Sequence, residues 1–211
     1  MRVLVVYESM YGNTHAVAER IGAGLDAVAD GVDVVAVGEV TDALLHAADL
    51  LVVGAPTHHH GLSTHRTRDK AIAEETLAHE AELGHDVEVD PDAEGPGLRE
   101  WFDGLDLGHP LPAAAFDTRP DGLPLLTGRA SKGIRRRLEH RGFKMIAEPE
   151  SFVVGDDLHL VDGEAERAVA WGRGLLGHVA QHLPKGRPSE DTDHDVLGDI
   201  IESGGRFASP T

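Results

Sequence analysis

The sequence predicts an α/β protein: a three-layer sandwich in which helices cover both faces of a five-stranded parallel sheet. Three observations carry this reading. Apolar strand-like runs alternate with helical patterns through most of the 211 residues, as repeated βαβ units require. The run from 50 to 55 is continuously apolar, the pattern of a central parallel strand buried on both faces. The first apolar run passes directly into a loop of hydroxyls, Gly and Asn that opens an amphipathic helix. Hydrophobic residues make up 41% of the chain, enough for one real core, and at 4% aromatic that core is mainly aliphatic.

The elements follow in order. Residues 2–8 form the first strand and about 13–30 the first helix, with Val17, Ile21, Leu25 and Val28 on one face. Residues 33–37 read as the second strand, 42–48 as a short helix, and 50–55 as the third strand. A helix over 64–83 and an exposed, turn-rich stretch over 84–97 come next. Together with the approach to the following helix they form an acidic insertion at about 64–100. Between Glu74 and Glu100 stand ten acidic residues and one basic one, a run that usually marks a solvated face. Residues 98–105 form a short helix anchored in the core by Trp101 and Phe102. The fourth strand is 112–117, followed by a loop over 118–128 and a helix over 130–140 with Ile134 and Leu138 inward. The fifth strand, 144–154, is interrupted by Pro149, which lacks an N–H and belongs on an edge or at a break. Asp162 is placed to cap the last helix, whose apolar positions Ala165, Ala168, Val169, Gly172, Leu176, Val179 and Leu183 keep the helical period. Pro184 ends it. One domain over 1–183 and a flexible or loosely docked tail over 184–211 are therefore expected.

The loop Ser9, Met10, Tyr11, Gly12, Asn13, Thr14 carries the chemistry. A strand, a polar loop and a helix N-terminus make an anion site, because unpaired backbone N–H groups and the helix dipole both favour negative charge. Ser9 and Thr14 add hydroxyl donors. A Walker loop would need Gly-Lys-Ser/Thr and a dinucleotide fingerprint three spaced glycines; neither is present. With Tyr7 before it and Ala18 and Ile21 behind, this segment resembles the FMN-phosphate loop of the flavodoxin family. That resemblance extends over roughly 2–183 and implies the strand order 2-1-3-4-5, FMN as cofactor, and a ligand at the carboxyl ends of strands 1, 3 and 4.

Two further loops meet at that edge. The loop after strand 3 contains Pro56, Thr57, His58, His59, His60 and Gly61. In flavodoxins it runs along one face of the isoalloxazine ring, and Gly61 stands where a peptide flip toward N5 is cheapest. Many electron-carrying flavodoxins stack a Trp here; this chain has His58, His59 and His60 instead. An imidazole titrates near neutrality, so these are candidate proton donors at the ring, with surface histidines as the competing reading. Consecutive loop residues point in different directions, which disfavours a closed metal site, and no metal is expected. The loop after strand 4 offers Asp117, Thr118 and Arg119 to the pyrimidine edge. There Arg119 would stabilise negative charge on the reduced ring, unless it pairs with Asp117 or Asp121.

There are no cysteines, so disulfides, thiolate metal sites and thiol nucleophiles are excluded. A formal net charge of −18 argues against binding nucleic acid or an anionic membrane. No signal-like or bilayer-spanning apolar run is present, and a cytoplasmic location is expected. Arg129, Lys132, Arg135, Arg136, Arg137 and Arg141 form a basic island, read first as a solvated helix face and otherwise as a contact for the acidic loop, a nucleotide phosphate or an acidic partner. The resemblance implies an FMN-binding redox protein that passes electrons to a partner protein or a small quinone-like acceptor. The alternatives are an FMN-dependent NAD(P)H:quinone-type reductase and an interaction module that has lost FMN. Homo-oligomerisation stays open.

Overall fold

The computed structural model describes residues 1–57, 61–80, 89–109, 111–122 and 128–182. Within them the chain runs β1 (Arg2–Tyr7), α1 (Asn13–Asp26), β2 (Gly31–Ala36), α2 (Asp42–Ala47), β3 (Leu50–Pro56), α3 (His65–Glu80), α4 (Leu98–Gly104), β4 (Pro112–Pro120), α5 (Ala130–His140), β5 (Lys144–Met145), β6 (Glu150–Val154) and α6 (Glu164–His182). The sheet is parallel with the order β2-β1-β3-β4-β5, and β6 also pairs with β4. The expected fifth strand is thus two short strands along one neighbour. Lys144 and Met145 pair with Pro112 and Ala113, and Glu150 to Val154 pair with Phe116 to Pro120. Pro149, with no N–H to donate, stands at the start of the second piece.

Strand alternation sorts the core into two halves. Leu4, Val6, Leu51, Val53, Ala113 and Ala115 face α2, α4 and α5, where Leu45, Phe102, Ile134 and Leu138 close over them. Val3, Val5, Leu50, Val52, Ala114 and Phe116 face α1 and α6, against Val17, Ile21, Leu25, Ala168 and Val179. Each fully buried Leu, Ile or Val contributes roughly 1.5–3 kcal/mol, so two such clusters hold the three layers together. Helices α1 and α6 approach closely because glycines meet backbone. A Cβ on Gly24 would lie 2.1 Å from the Val169 carbonyl oxygen, and one on Gly172 would lie 2.4 Å from that of Ile21.

Three local expectations are corrected. Helix α1 ends at Asp26, so Val28 leaves the buried face and is 50% exposed. Strand β4 continues through Thr118 and Arg119 to Pro120, because β6 gives those residues a ladder partner. At α6 the first helical acceptor is the Gly163 carbonyl, bonded by the N–H of Arg167 at 3.0 Å, so Gly163 and not Asp162 takes the capping position. No described helix is long and apolar enough to cross a membrane.

Candidate functional site

In a parallel sheet all carboxyl ends lie on one edge, and here they enclose a cavity of about 340 Å³. Its lining includes Met10, Tyr11, Asn13 and Thr14 from the first loop, Pro56 and Thr57 after β3, and Thr118 and Arg119 from β4. The volume falls within the range of small-molecule sites, roughly 300–1,000 Å³.

The first loop is built to receive an anion. Gly12 precedes α1 with φ +77°, a left-handed conformation that glycine adopts without strain. No side chain caps the helix N-terminus and its first turn holds no acid, so the leading N–H groups stay available to a ligand. Ser9 is buried and its Oγ has no partner among the described residues. A buried hydroxyl without a partner is costly, and a ligand oxygen would relieve it. Beside it, the Thr14 and Thr118 hydroxyls lie 2.7 Å apart, both buried, tying the phosphate-type loop to β4.

The two other loops are held from behind. The Thr57 N–H donates to the Thr118 carbonyl at 2.8 Å, and Thr57 Oγ1 accepts from the N–H of Ala130 at 3.0 Å. Asp117 is fully buried beneath the cavity and does not line it. Its Oδ2 accepts from the Ser131 N–H at 2.7 Å, so it caps α5, while Oδ1 has no partner among the described residues. Arg119 donates through Nη1 to the carbonyls of Pro120 and Gly122 and pairs with neither Asp117 nor Asp121; its buried Nε is unpartnered beside the cavity. Ser9, Gly12 and Gly61 also lie outside the lining, and His58, His59 and His60 fall outside the described residues.

Sequence reasoning missed two parts of the site. The turn after β6 supplies Gly155, Asp156 and Leu158 to the cavity wall, next to Val154 and Pro120. It is latched to the first loop by Asn13 Nδ2, which donates to the Leu158 carbonyl at 2.7 Å. Leu158 has φ +61°, uncommon for a residue with a Cβ. The signal was topological: a parallel edge strand also delivers its following turn to the carboxyl edge.

The second missed part is a buried polar network. The Glu8 carboxylate, directly before Ser9, accepts from the Leu98 N–H at 2.8 Å and from the Ser63 hydroxyl. Arg68, 3% exposed, reaches from α3 to Ser63 Oγ at 3.1 Å and to Glu100 Oε2 at 3.3 Å. Glu100 also accepts from the Gly97 N–H at 3.0 Å. The insertion is therefore bolted to both the first loop and the loop after β3. Its far end returns beneath the first loop, where the Asp90 N–H donates to the Met10 carbonyl at 2.8 Å.

Comparison with known proteins agrees with this fold. The flavodoxin family model matches residues 5–92, which include the first loop and the loop after β3. Oxidised flavodoxin 1 from Bacillus cereus superposes with a TM-score of 0.56 at 18% identity, over 87% of this chain and 100% of its own. A flavodoxin from the domain Archaea gives 0.55 at 21%, over 85% and 99%. The rubredoxin oxygen:oxidoreductase of Desulfovibrio gigas gives 0.53 at 17%, over 85% of this chain but 37% of that longer one. No curated protein sequence matches.

Proposed function

We propose that the chain is a flavodoxin-type protein whose carboxyl-edge cavity holds FMN and that it transfers electrons: the flavodoxin family model matches residues 5–92, and the fold of the described domain is that of the flavodoxins it superposes on. The observation that carries this is the uncapped N-terminus of α1, whose Asn13 and Thr14 line the cavity, together with the buried Ser9 hydroxyl, unpartnered among the described residues, in the loop that leads to it. When bound, FMN supplies the redox chemistry, since this chain has no cysteine to do so.

The residues present fit that group. Ser9, Thr14 and the N–H groups opening α1 would hold the phosphate. Thr57 and Thr118, fixed to each other through the backbone, would orient the ring from both sides. Arg119 places a cationic group on the wall formed by the end of β4, favouring negative charge there. Asn13 and the turn at 155–160 close the cavity from the sheet edge and limit water.

A two-electron NAD(P)H-dependent reductase is the second reading, and one observation favours it. Tyr11 is the single aromatic among the described lining residues, a sparser aromatic lining there than a specialised carrier would have. NAD(P)H oxidation with a quinone and no partner protein would support the reductase; reduction in two separate one-electron steps would support the carrier.

The deciding experiment is gel filtration of the protein after incubation with FMN, followed by its visible absorption spectrum. Flavin that travels with the protein supports the proposal. No retention at micromolar concentrations would overturn it and leave an interaction module as the remaining reading.

A further inference from the structure

Away from the cofactor edge, a cationic face is assembled with more arginines than acids among the described residues. Arg99 on α4, Arg137 on α5 and Arg141 just after α5 lie together and are all half-buried. Arg99 donates to the carbonyls of Leu62 and Ser63, and Arg137 donates to that of Gly133. Neither has a carboxylate within ion-pair distance among the described residues. Arg141 has only Asp103, 4.0 Å away and 87% exposed. Burial first, then repulsion from Arg99 and Arg141, push the Arg137 guanidinium below its ordinary value. In a chain of net charge −18, this cluster of three arginines has Asp103 as its one acid within ion-pair distance among the described residues. Beside it Arg141, Leu105, Asp106, Leu107, His109 and Phe143 border a second cavity of about 500 Å³, where the Asp106 carboxylate is engaged by the Gly108 N–H at 2.9 Å.

The chain itself carries a complementary segment. Between 189 and 203 stand Glu190, Asp191, Asp193, Asp195, Asp199 and Glu202 with no Lys or Arg, and among them Val196, Leu197, Ile200 and Ile201. Spacings of one, four and five place those four apolar residues on one side if the segment is helical.

Reach permits contact. Helix α6, 19 residues and so about 28 Å long, starts at the carboxyl edge of the sheet and ends near its amino edge. Helix α5 makes the same return on the opposite face and delivers Arg141 to that amino edge. Crossing two layer spacings of about 10 Å each needs about 20 Å. The eight residues from His182 to Glu190 span up to about 27 Å when extended.

We propose that residues 190–202 dock on the α4–α5 face of their own chain, with carboxylates on Arg137 and Arg141 and apolar side chains in the cavity beside Phe143. The docked segment covers the face from which Arg99 holds the end of the loop after β3.

The absence of cysteine makes the test direct. A nitroxide is attached to Ser203→Cys in the full-length, ¹⁵N-labelled chain as purified. The expected result is selective loss of the amide signals of Gly108, His109, Gly142 and Phe143, recovered when the label is reduced. The signals should also return in about 1 M salt, where the Debye length falls to about 3 Å. They should return in the triple variant Asp191→Asn, Asp193→Asn, Asp195→Asn, whose changes lie outside the described domain. Arg137→Glu with Arg141→Glu should give the same recovery from the other side. Broadening elsewhere, or none, overturns the proposal. Broadening in a mixture of labelled and spin-labelled chains would overturn docking in cis in favour of a second copy. The readout is independent of flavin retention, so its failure is distinct from failure of the cofactor reading.

Discussion

The sharpest test of the phosphate site is Thr14→Val, which keeps the side-chain shape and removes the hydroxyl. Thr14 and Thr118 share one short hydroxyl contact of 2.7 Å, and both are buried. Each hydroxyl has one proton. The arrangement that satisfies both has Thr118 donating to Thr14, and Thr14 donating to a phosphate oxygen. Removing the Thr14 hydroxyl then deletes a hydrogen bond to a charged group, about 1.5–3 kcal/mol, or roughly ten- to a hundredfold in FMN affinity. It also leaves the Thr118 hydroxyl buried without its partner, at a cost of about 1–3 kcal/mol in stability. Thr118→Val should weaken FMN less, because Thr14 keeps its donor. The double variant should be less destabilised than the two single changes sum to, since no orphaned hydroxyl remains. The assay is fluorescence titration with FMN and, in parallel, with riboflavin, which has the ring and no phosphate. Thr14→Val should weaken FMN alone. Equal weakening of both ligands would refute the phosphate assignment and leave Thr14 as a structural tie between α1 and β4.

Other consequences follow from the same geometry. Arg119→Gln removes the cation at the β4 wall, so the potential of the bound flavin should become more negative, by on the order of 60 mV for about 1.4 kcal/mol lost in one electron step; an unchanged potential in spectroelectrochemistry would place Arg119 away from the ring. Arg68→Met strips the guanidinium from Ser63 and from the half-exposed Glu100, beside the buried Glu8 carboxylate, and should cost about 1.5–3 kcal/mol in urea unfolding. A loss within about 0.5 kcal/mol would show that the insertion does not brace the site. For Glu100, desolvation raises the pKa, but the N–H groups of Glu100 and Gly97 and the Arg68 guanidinium outweigh it, and the net shift is below the ordinary 4.5. A carboxylate depressed in the folded state contributes stability above its unfolded value and loses it as pH falls through the folded one. The difference between wild type and Glu100→Gln should therefore be present at neutral pH and be lost as pH falls below the ordinary 4.5 and through the lower folded-state value. A difference that persists there would remove Glu100 from this linkage.

What the sequence made legible is what local chemistry dictates. Leu50 to Ala55 read as a central strand because apolar side chains on both faces need two covering layers, and all six are buried. The first loop was legible because Ser9, Gly12 and Thr14 are close in sequence and their types have one shared use at a helix N-terminus. Arg68 was not. Its partners Ser63 and Glu100 are brought together only when α3 and α4 fold back, and an Arg beside Arg66, Asp69 and Lys70 looks like any solvated cation until it is found 3% exposed. The split edge strand was half legible: Pro149 announced a break, but both pieces returning to β4 required the sheet. The turn at 155–160 shows the limit most clearly. Gly155 and Asp156 carry no local signal of a site, and only parallel topology makes the end of every strand, edge strand included, an address on the cofactor edge. Local chemistry thus named the phosphate end of the site, while the walls that close it depend on which strands the fold makes neighbours.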